Sequence, residues 1–355
     1  MSAAPNQEDE QYQERILQGV SRTFALTIPQ LPPALRRVIS NAYLLCRIAD
    51  TIEDDNALSS EQTRKFSDMF INVVAGNTAA EDFAFELFPL LSDHTIPDEH
   101  DLIKNTPAVI RITHSFNANQ RTALERCIRI MAKGMADYQD TESLDGLKDL
   151  PAMDEYCYYV AGVVGEMLTE LFCYYSAEIN RNKAVMMKLA VSFGQGLQMT
   201  NILKDIWDDR KRGACWLPQE IFLNEGLALK DIRPGMSDER FTNGLGILIG
   251  VAKGHLREAL EYTQMIPVNE TGIRRFCLWA LGMAVLTLNK LNKHRDFSEG
   301  TQVKISRRSV KATVLVTSLL ASQNSALSML FNVMSRNLPE TDIREKLDKA
   351  RCGAI

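Results

Sequence analysis

Two acidic clusters, each with the spacing of a single helical face, constrain this sequence most. Acidic side chains stand at positions i, i+3 and i+4 in both: Asp50, Glu53 and Asp54 in the first, and Asp205, Asp208 and Asp209 in the second. On a helix these positions lie side by side, where like charges destabilise the helix by roughly a few tenths of a kcal/mol. The clusters therefore predict two helices whose carboxylates are compensated by a bound cation.

Polar residues extend both clusters toward the N-termini of their helices. Tyr43 and Arg47 continue the face of the first cluster, and Gln198 and Asn201 continue the face of the second. One such cluster alone is equally well explained as a solvated helix end. A solvated end does not need Tyr, Gln and Asn beside its acids, whereas a polar cleft between helices does.

Helical periodicity dominates the rest of the sequence, and strand patterns are scarce. We therefore predict an all-α protein with a single helical domain over residues 10–355, preceded by a disordered N-terminus over residues 1–9. Residues 97–107 are predicted to connect shorter helices. The longer predicted helices cover residues 33–54, a segment capped near residues 59–62, and residues 119–140, 151–174, 183–209, 238–263, 273–293 and 309–336.

Composition excludes several other classes of protein. The net charge of −5 offers no basic stripe for nucleic acid. Seven cysteines without a CxxC pair and five histidines without an HxxxH pair argue against disulfide frameworks and zinc sites. The N-terminus is polar, and the longest apolar run, residues 277–288, is shorter than the roughly 20 residues that span a membrane. We expect a cytoplasmic protein without a transmembrane anchor; peripheral membrane contact and oligomeric state are left open.

The residue types of the clusters indicate which cation they prefer. Carboxylate oxygens without thiolates or imidazoles suit Mg²⁺, which proteins hold through one or two carboxylates plus substrate phosphate oxygens. Two such clusters facing each other predict a diphosphate site, where the metal assists departure of the diphosphate from carbon. Arg22, Arg47 and Lys204 are candidate phosphate partners, although each taken singly is better explained as a surface charge. Their position beside the motifs favours function most for Arg47.

Four segments, in this order along most of the chain, resemble the squalene/phytoene synthase family. They are Ser21-Arg22-Thr23-Phe24, the stretch YLLCRIADTIED at residues 43–54, the stretch YCYYVAGVVG at residues 156–165, and the stretch QMTNILKDIWDD at residues 198–209. The resemblance implies an all-α, isoprenoid synthase-type bundle with a central cavity. It also implies an enzyme that joins two isoprenyl diphosphates head to head.

The resemblance implies a role for each motif residue. The six acidic residues of the two clusters would hold Mg²⁺. Substrate contacts would come from Ser21, Arg22, Thr23, Phe24, Arg47, Val160, Gln198, Asn201, Lys204 and Phe276. The catalytic residues would be Tyr43, Asp50, Asp54, Tyr156, Asp205 and Asp209. Tyr156 would take part in removing the proton that closes a cyclopropyl intermediate; without its motif it would be interpreted as a packed core tyrosine.

A carbocation needs a dry apolar cavity, because water would quench it. Candidate lining residues are Phe24, Met131, Met135, Val160, Val163, Leu168 and Phe276. Methionine and aromatic residues at helical spacing are equally typical of an ordinary core, so this set does not by itself indicate a cavity.

Two short segments favour the squalene synthase branch of the family. Residues 303–308, with Lys304, Arg307 and Arg308, resemble a basic segment linked there to the nicotinamide cofactor, and residues 275–278 resemble a nearby Phe-Cys segment. We therefore expect NADPH at the three basic residues, although a solvated helix start explains them equally well. No Gly-rich dinucleotide fingerprint follows a strand, so NADPH would bind a helical surface.

The sequence also departs from the family's patterns. Lys204 stands where Arg is usual, and Lys cannot form the bidentate fork that Arg forms with phosphate. Asp208 replaces the usual Glu, and Ala280-Leu281 replaces a Pro-Gln pair. The predicted activity is squalene formation through presqualene diphosphate. The alternatives are a dehydrosqualene or phytoene synthase without reduction, a presqualene diphosphate synthase, and a non-catalytic helical protein.

Overall fold

The computed structural model describes residues 5–21, 23–139 and 143–341. These residues form α-helices, short 3₁₀ turns and one π-helical turn, and no strand occurs among them beyond an isolated bridge between Leu147 and Pro218. The predicted all-α class is confirmed.

The helices in chain order are α1 (Gln7–Val20), α2 (Phe24–Thr27), α3 (Pro33–Asp54), α4 (Ser60–Val74), α5 (Ala80–Leu87), α6 (Pro97–Lys104), α7 (Thr106–Ser115) and α8 (Ala118–Gln139). They continue as α9 (Leu150–Cys157), a π-helical turn (Tyr158–Gly162), α10 (Val163–Tyr175), α11 (Ala177–Asn180) and α12 (Lys183–Lys211). The last are α13 (Gln219–Asn224), α14 (Glu239–Met265), α15 (Thr271–Lys293), α16 (Arg307–Leu320) and α17 (Asn324–Ser335).

Two compact units divide the chain. The first unit comprises Met1–Asp140 and Glu166–Lys183, and the second comprises Thr141–Gly165 and Ala184–Ile355. The two acidic clusters therefore belong to different units. The predicted single domain stays a prediction, and so does the facing arrangement of the two clusters.

Helix α3 is the central helix of the first unit. It packs against α1, α4, α6, α7 and α8. Val38, Leu45 and Ile52 recur every seven residues and are fully buried, which is the apolar stripe of an amphipathic helix. Buried Asn41 donates from Nδ2 to Val109 O (3.0 Å) and accepts from Thr113 Oγ1 (2.8 Å). This burial on one side leaves the polar stripe of α3 on another.

The second unit is built on long helices that approach closely. Helix α14 packs against α15, and α15 packs against α16. A methyl group on Gly194 of α12 would collide with the carbonyl oxygen of Ala161, and one on Gly165 would collide with that of Ala190. Glycine is therefore required where α12 passes the π-helical turn and the start of α10.

Most long helices were predicted within two or three residues. Helix α4 begins with the capping box that the sequence indicates, in which Ser59 and Gln62 bond each other's backbone N–H groups (2.9 and 3.3 Å). The predicted helix over residues 309–336 is two helices instead. The Arg274 side chain donates to Ala321 O and Asn324 Oδ1, which fixes the chain reversal between α16 and α17.

Two further expectations differ from the structure. Residues 97–107 contain α6 and the start of α7, because Pro97 occupies the first turn of a helix, where its missing N–H is not needed. Helix α1 begins at Gln7, so the last three residues of the expected disordered segment are helical. Asn6 caps α1, and Asp9 binds Arg111 at 2.6 Å. Residues 1–4 lie outside the described residues.

Helix α15 is, within the described part of the chain, the one helix long and apolar enough to cross a membrane. Its most apolar window has a mean hydropathy of 1.3, and 72% of that window is buried. Its apolar side chains therefore pack in the core of the second unit.

Candidate active site

The polar stripe of α3 is organised around Tyr43. The Tyr43 hydroxyl donates to Val20 O at the end of α1 (3.0 Å) and accepts from Arg47 Nη2 (3.0 Å). The ring of Phe24 lies 5.1 Å from the ring of Tyr43. One tyrosine thus joins the first motif to the segment around residues 21–24.

A side-chain hydrogen bond joins Ser21 and Phe24 of that segment. The hydroxyl of buried Ser21 accepts the backbone N–H of Phe24 at 2.9 Å, Thr23 is exposed and Phe24 is half-buried. The structure therefore brings Phe24 beside Tyr43 and leaves Thr23 open to solvent. Arg22 lies outside the described residues, and its phosphate contact stays a prediction.

Arg47 lies between carboxylates from two helices. Its Nη1 is 3.8 Å from Asp50 Oδ2 and 3.6 Å from Glu99 Oε1 of α6. Sequence reasoning missed Glu99, since nothing in its spacing links it to α3. Its one local signal is a place in the first turn after Pro97, which favours acids in any helix.

Negative charge accumulates at this end of α3. Burial, together with the carboxylates of Asp54 and Glu99, raises the pKa of Asp50 to about 6 despite the opposing effect of Arg47. Burial and then Asp54 also raise the pKa of Glu99, again against Arg47. Three carboxylates thus influence one another while one guanidinium lies among them. Such a site favours an additional cation.

Glu53 and Asp54 complete the first cluster. Asp54 is exposed and Glu53 is half-buried, with its backbone carbonyl accepting from Gln139 Nε2 of α8 at 3.3 Å. Across the described residues, no three His, Cys, Asp or Glu side chains are grouped closely enough to hold a metal ion by themselves. The donor chemistry nevertheless fits Mg²⁺, which proteins usually bind through few carboxylates and substrate oxygens.

The second cluster lies on the last turns of α12, and each of its acids has a cation nearby. Lys204 Nζ is 3.1 Å from Asp205 Oδ2 and donates to Asn201 Oδ1 at 3.4 Å. Lys211 pairs with exposed Asp208 at 2.8 Å. Burial raises the pKa of Asp205, Lys204 opposes this, and Asp208 adds to it.

Asp209 is the buried acid of the second cluster. It is 7% exposed and lies 2.7 Å from Arg212 Nη2. It borders a small crevice that is otherwise lined by Ile202, Ile206, Cys215, Trp216 and Leu217. Gln198, about three turns earlier on α12, is half-buried. All six motif acids are therefore present at helix ends, and their binding of Mg²⁺ stays a prediction.

Tyr156 lies in the second unit, buried and stacked. Its ring is parallel to that of Trp216, with centroids 4.1 Å apart and planes 6° apart. The π-helical turn Tyr158–Gly162 begins two residues later and contains half-buried Val160. The extra backbone residue of such a turn shifts the register of α9 relative to α10, which is common at functional sites.

The basic segment near residue 304 follows a turn that lies beside the second acidic cluster. A methyl group placed on Gly300 would be 3.5 Å from Asp208 Oδ2 and 3.6 Å from Asp205 Oδ1. Lys304 follows the 3₁₀ turn Gly300–Val303, and Arg307 opens α16. Lys304, Arg307 and Arg308 are exposed. The turn thus lies beside the second cluster and directly precedes the basic residues in the chain.

The predicted lining residues are divided between the two units. Phe24, Met131, Met135 and Leu168 belong to the first, and Val160, Val163 and Phe276 belong to the second. Met131, Met135, Val163 and Phe276 are buried, and the other three are half-buried. That these residues line one common cavity stays a prediction.

Comparison with known proteins gives a consistent result. The family model described as squalene/phytoene synthase matches residues 17–309. A squalene synthase of Cyberlindnera jadinii is 30% identical over 311 residues, which cover 82% of this chain and 65% of that relative. The squalene synthase ERG9 of Saccharomyces cerevisiae is 28% identical, with 82% and 63% covered. The chain thus spans slightly less than two thirds of these relatives.

Solved structures show the same fold. The ligand complex of TcSQS with BPH1237 matches with a TM-score of 0.76 at 23% identity, covering 93% of this chain and 91% of that one. A dehydrosqualene synthase in complex with a ligand matches with a TM-score of 0.62 at 22% identity, covering 89% and 98%.

Proposed function

Because the chain belongs to the squalene/phytoene synthase family, a family of prenyl transferases, we propose that it is a Mg²⁺-dependent squalene synthase. It would join two farnesyl diphosphates head to head to presqualene diphosphate, and then reduce that intermediate with NADPH to squalene. Support comes from relatives named squalene synthase at 28–30% identity.

The observation that carries the proposal is the constellation on α3. Arg47 is held by Tyr43 and by two carboxylates, one of them from α6, at the end of a helix with surplus negative charge. A guanidinium in such a place binds a phosphate oxygen well, while the carboxylates hold the cations that accompany the diphosphate. A solvated acidic surface does not need this arrangement.

The protein's residues divide the first half-reaction as follows. Arg47 and Lys204 contact phosphate oxygens, and the Tyr43 hydroxyl keeps Arg47 in place. Asp50 and Asp54 of the first cluster, and Asp205 and Asp209 of the second, are the carboxylates that would hold Mg²⁺. When bound, the metal would offset the charge that develops on the departing diphosphate.

Tyr156 is proposed to take part in removing the proton lost on cyclopropane closure. Its burial and its stack on Trp216 keep the ring in one orientation. Apolar surroundings keep water from the cationic intermediates, and Val160 and Phe276 would contribute to them.

For the reductive half-reaction, Lys304, Arg307 and Arg308 are proposed to bind the phosphates of NADPH, which would supply the hydride. The closeness of Gly300 to Asp205 and Asp208, whose carboxylates an added methyl group would just reach, supports this, because it places the turn before the basic segment near the second cluster. Converting all three residues to Ala should leave presqualene diphosphate formation intact and suppress squalene, with presqualene diphosphate accumulating.

The deciding experiment incubates the purified protein and Mg²⁺ with farnesyl diphosphate or, separately, with the twenty-carbon diphosphate, each with and without NADPH, and identifies the products by mass spectrometry. Squalene that appears only with NADPH supports the proposal. Dehydrosqualene regardless of NADPH, phytoene from the twenty-carbon substrate, or presqualene diphosphate as the end product would each replace it with the corresponding activity.

Peripheral membrane contact is a secondary proposal. Leu315 and Leu319 of α16 and Met329 and Val333 of α17 are 57–70% exposed, which provides an apolar surface for such contact. Co-sedimentation with anionic vesicles tests it, and the double variant Leu315→Asp, Leu319→Asp should lose the bound fraction.

A further inference from the structure

A chain of three polar side chains, two of them buried and Asp154 half-buried, joins three helices of the second unit, and the proposed reaction does not use it. His255 of α14 is 3% exposed. Its Nδ1 lies 2.6 Å from the hydroxyl of Ser192 on α12. Its Nε2 lies 3.3 Å from Oδ1 of Asp154 on α9. Asp154 is two residues before Tyr156, so the chain ends on the short helix that carries the tyrosine proposed to take part in proton removal.

The His255 ring and the Asp154 carboxylate depend on each other. Their two facing atoms are off the line of a straight hydrogen bond, but within the described residues neither atom has another hydrogen-bond partner. A carboxylate opposite Nε2 requires that nitrogen to carry a proton. In the neutral ring, Nδ1 then accepts from the Ser192 hydroxyl. Burying these groups without each other would cost free energy, which favours one arrangement of the three helices.

A second contact fixes the same helix. Gln195 Nε2 of α12 donates to the backbone carbonyl oxygen of Asp154 at 3.1 Å. A methyl group on Gly196 would lie only 3.0 Å from Cβ of His255, so α12 and α14 are in close contact there. Asp154 is therefore held by both its side chain and its backbone against a tightly packed helix pair.

The placement of Tyr156 follows from helix geometry. Residues two positions apart on a helix lie roughly 200° apart around its axis, so Asp154 and Tyr156 point to nearly opposite sides. Fixing the Asp154 side therefore fixes the direction of the Tyr156 ring, which stacks on Trp216. The helix needs such support, because the π-helical turn begins directly after Cys157 and interrupts the regular backbone ladder.

We propose that Asp154, His255 and Ser192 form a positioning chain that holds α9 so that Tyr156 is aimed at the substrate. This inference rests on the proposed function for its kinetic consequence. The three residues do not touch substrate; they act through Tyr156.

The kinetic test is a double-mutant cycle with His255→Gln and Tyr156→Phe. His255→Gln should lower kcat with farnesyl diphosphate by roughly ten- to a hundredfold, the effect of a misplaced reacting group. KM should stay within about twofold, because the diphosphate contacts are elsewhere. In the Tyr156→Phe background, His255→Gln should lower kcat by less than about a further twofold. Losses that multiply across the two backgrounds would show that His255 does not act through Tyr156.

Two further variants control for stability. Asn289→Ala removes a bond of Asn289 to Met334 O (2.9 Å) between α15 and α17, away from the chain. It should lower the melting temperature while leaving kcat unchanged. Ser192→Ala removes one hydroxyl and should lower kcat by roughly threefold. This milder variant tests the same chain if His255→Gln does not fold. Unchanged kcat in folded Ser192→Ala and Asp154→Asn would overturn the proposal.

A spectroscopic test is independent of the enzymatic activity. The parallel Tyr156–Trp216 pair should contribute to the near-ultraviolet circular dichroism, assigned by comparison with Trp216→Phe. His255→Gln should lose this contribution and Asn289→Ala should keep it. If the wild-type protein formed no product from farnesyl diphosphate, the proposed function would fail while this measurement still tested positioning. A contribution unchanged in His255→Gln would contradict the positioning chain.

Discussion

The two acidic clusters share one spacing but differ in how their charge is balanced. On α3, the carboxylates of Asp50, Asp54 and Glu99 influence one another with Arg47 as the neighbouring cation. On α12, Lys204 and Lys211 lie within 3.1 Å of carboxylates of the cluster, and Arg212 pairs with Asp209. The same pattern thus gives one cluster with surplus negative charge and one that is nearly neutral.

This difference indicates that the two clusters bind cations unequally. In the absence of substrate, the first should attract Mg²⁺ more strongly than the second does, because a cation relieves repulsion that already exists there. The second should bind Mg²⁺ chiefly together with the diphosphate. Its lysines and Arg212 are paired with the carboxylates, and these ion pairs must break, or the cations must pair with phosphate oxygens, before the carboxylates can bind the metal. Four predictions test this contrast.

The largest effect should come from comparing Asp50→Asn with Asp208→Asn. Asp50→Asn should lower kcat/KM for farnesyl diphosphate by roughly a thousandfold, since it removes a half-buried carboxylate, proposed to hold Mg²⁺, from the surplus cluster. Asp208→Asn should lower it by less than about tenfold, because that exposed carboxylate already pairs with Lys211. Steady-state kinetics at saturating Mg²⁺ measure both. Equal losses would remove the contrast.

The second prediction concerns pH in the absence of metal. The raised pKa of Asp50 means that the folded state holds this proton more tightly than the unfolded state does. The resulting stabilisation is present in full below about pH 4 and is lost as the pH rises through about 6. Its size is at most about 3 kcal/mol. Because other carboxylates titrate too, the measured quantity is the difference in unfolding free energy between wild type and Asp50→Asn from pH 4 to 7.

That difference should change in the stated direction, with wild type losing stability relative to Asp50→Asn as the pH rises. Mg²⁺ should reverse the loss above pH 6, where Asp50 is ionised and free to bind it. A difference that is constant with pH would mean that Asp50 is not surrounded by surplus charge.

The third prediction uses Glu99, which the sequence did not reveal. Glu99→Gln removes one carboxylate of the surplus and leaves the shape of the side chain. The apparent affinity of the substrate-free protein for Mg²⁺ should fall by roughly tenfold, because the variant lacks one of the negative charges that repel each other and attract the cation. Isothermal titration calorimetry measures this affinity. Glu86→Gln, at the exposed ion pair of Glu86 with Lys65 on α4, is the matched control and should leave the affinity unchanged.

The smallest effect should come from Lys211→Gln in the second cluster. Freeing Asp208 from its exposed partner should strengthen Mg²⁺ binding by no more than about twofold and leave the melting temperature of the protein essentially unchanged. Thermal unfolding and the same titration measure these changes. A rise of tenfold or more in affinity would mean that Lys211 had been suppressing a strong metal site.

Much of the fold could be predicted because its determinants are local. The caps of α4, the proline at the start of α3 and the apolar stripes of the long helices act within a few residues. The break between α16 and α17 could not be predicted this way. It depends on Arg274, whose side chain comes from a helix that precedes both.

The candidate site likewise has features set by local sequence and features set by distant segments of the chain. By itself the sequence determined which acids share a face with Tyr43 and Gln198, since the period of the helix fixes that relation. Tertiary structure decided that Glu99 joins Arg47, that Tyr156 stacks on Trp216 and that His255 contacts Asp154. The reason is physical: spacing along one helix is set by its backbone hydrogen bonds, whereas neighbours from distant segments are set by which apolar faces bury each other.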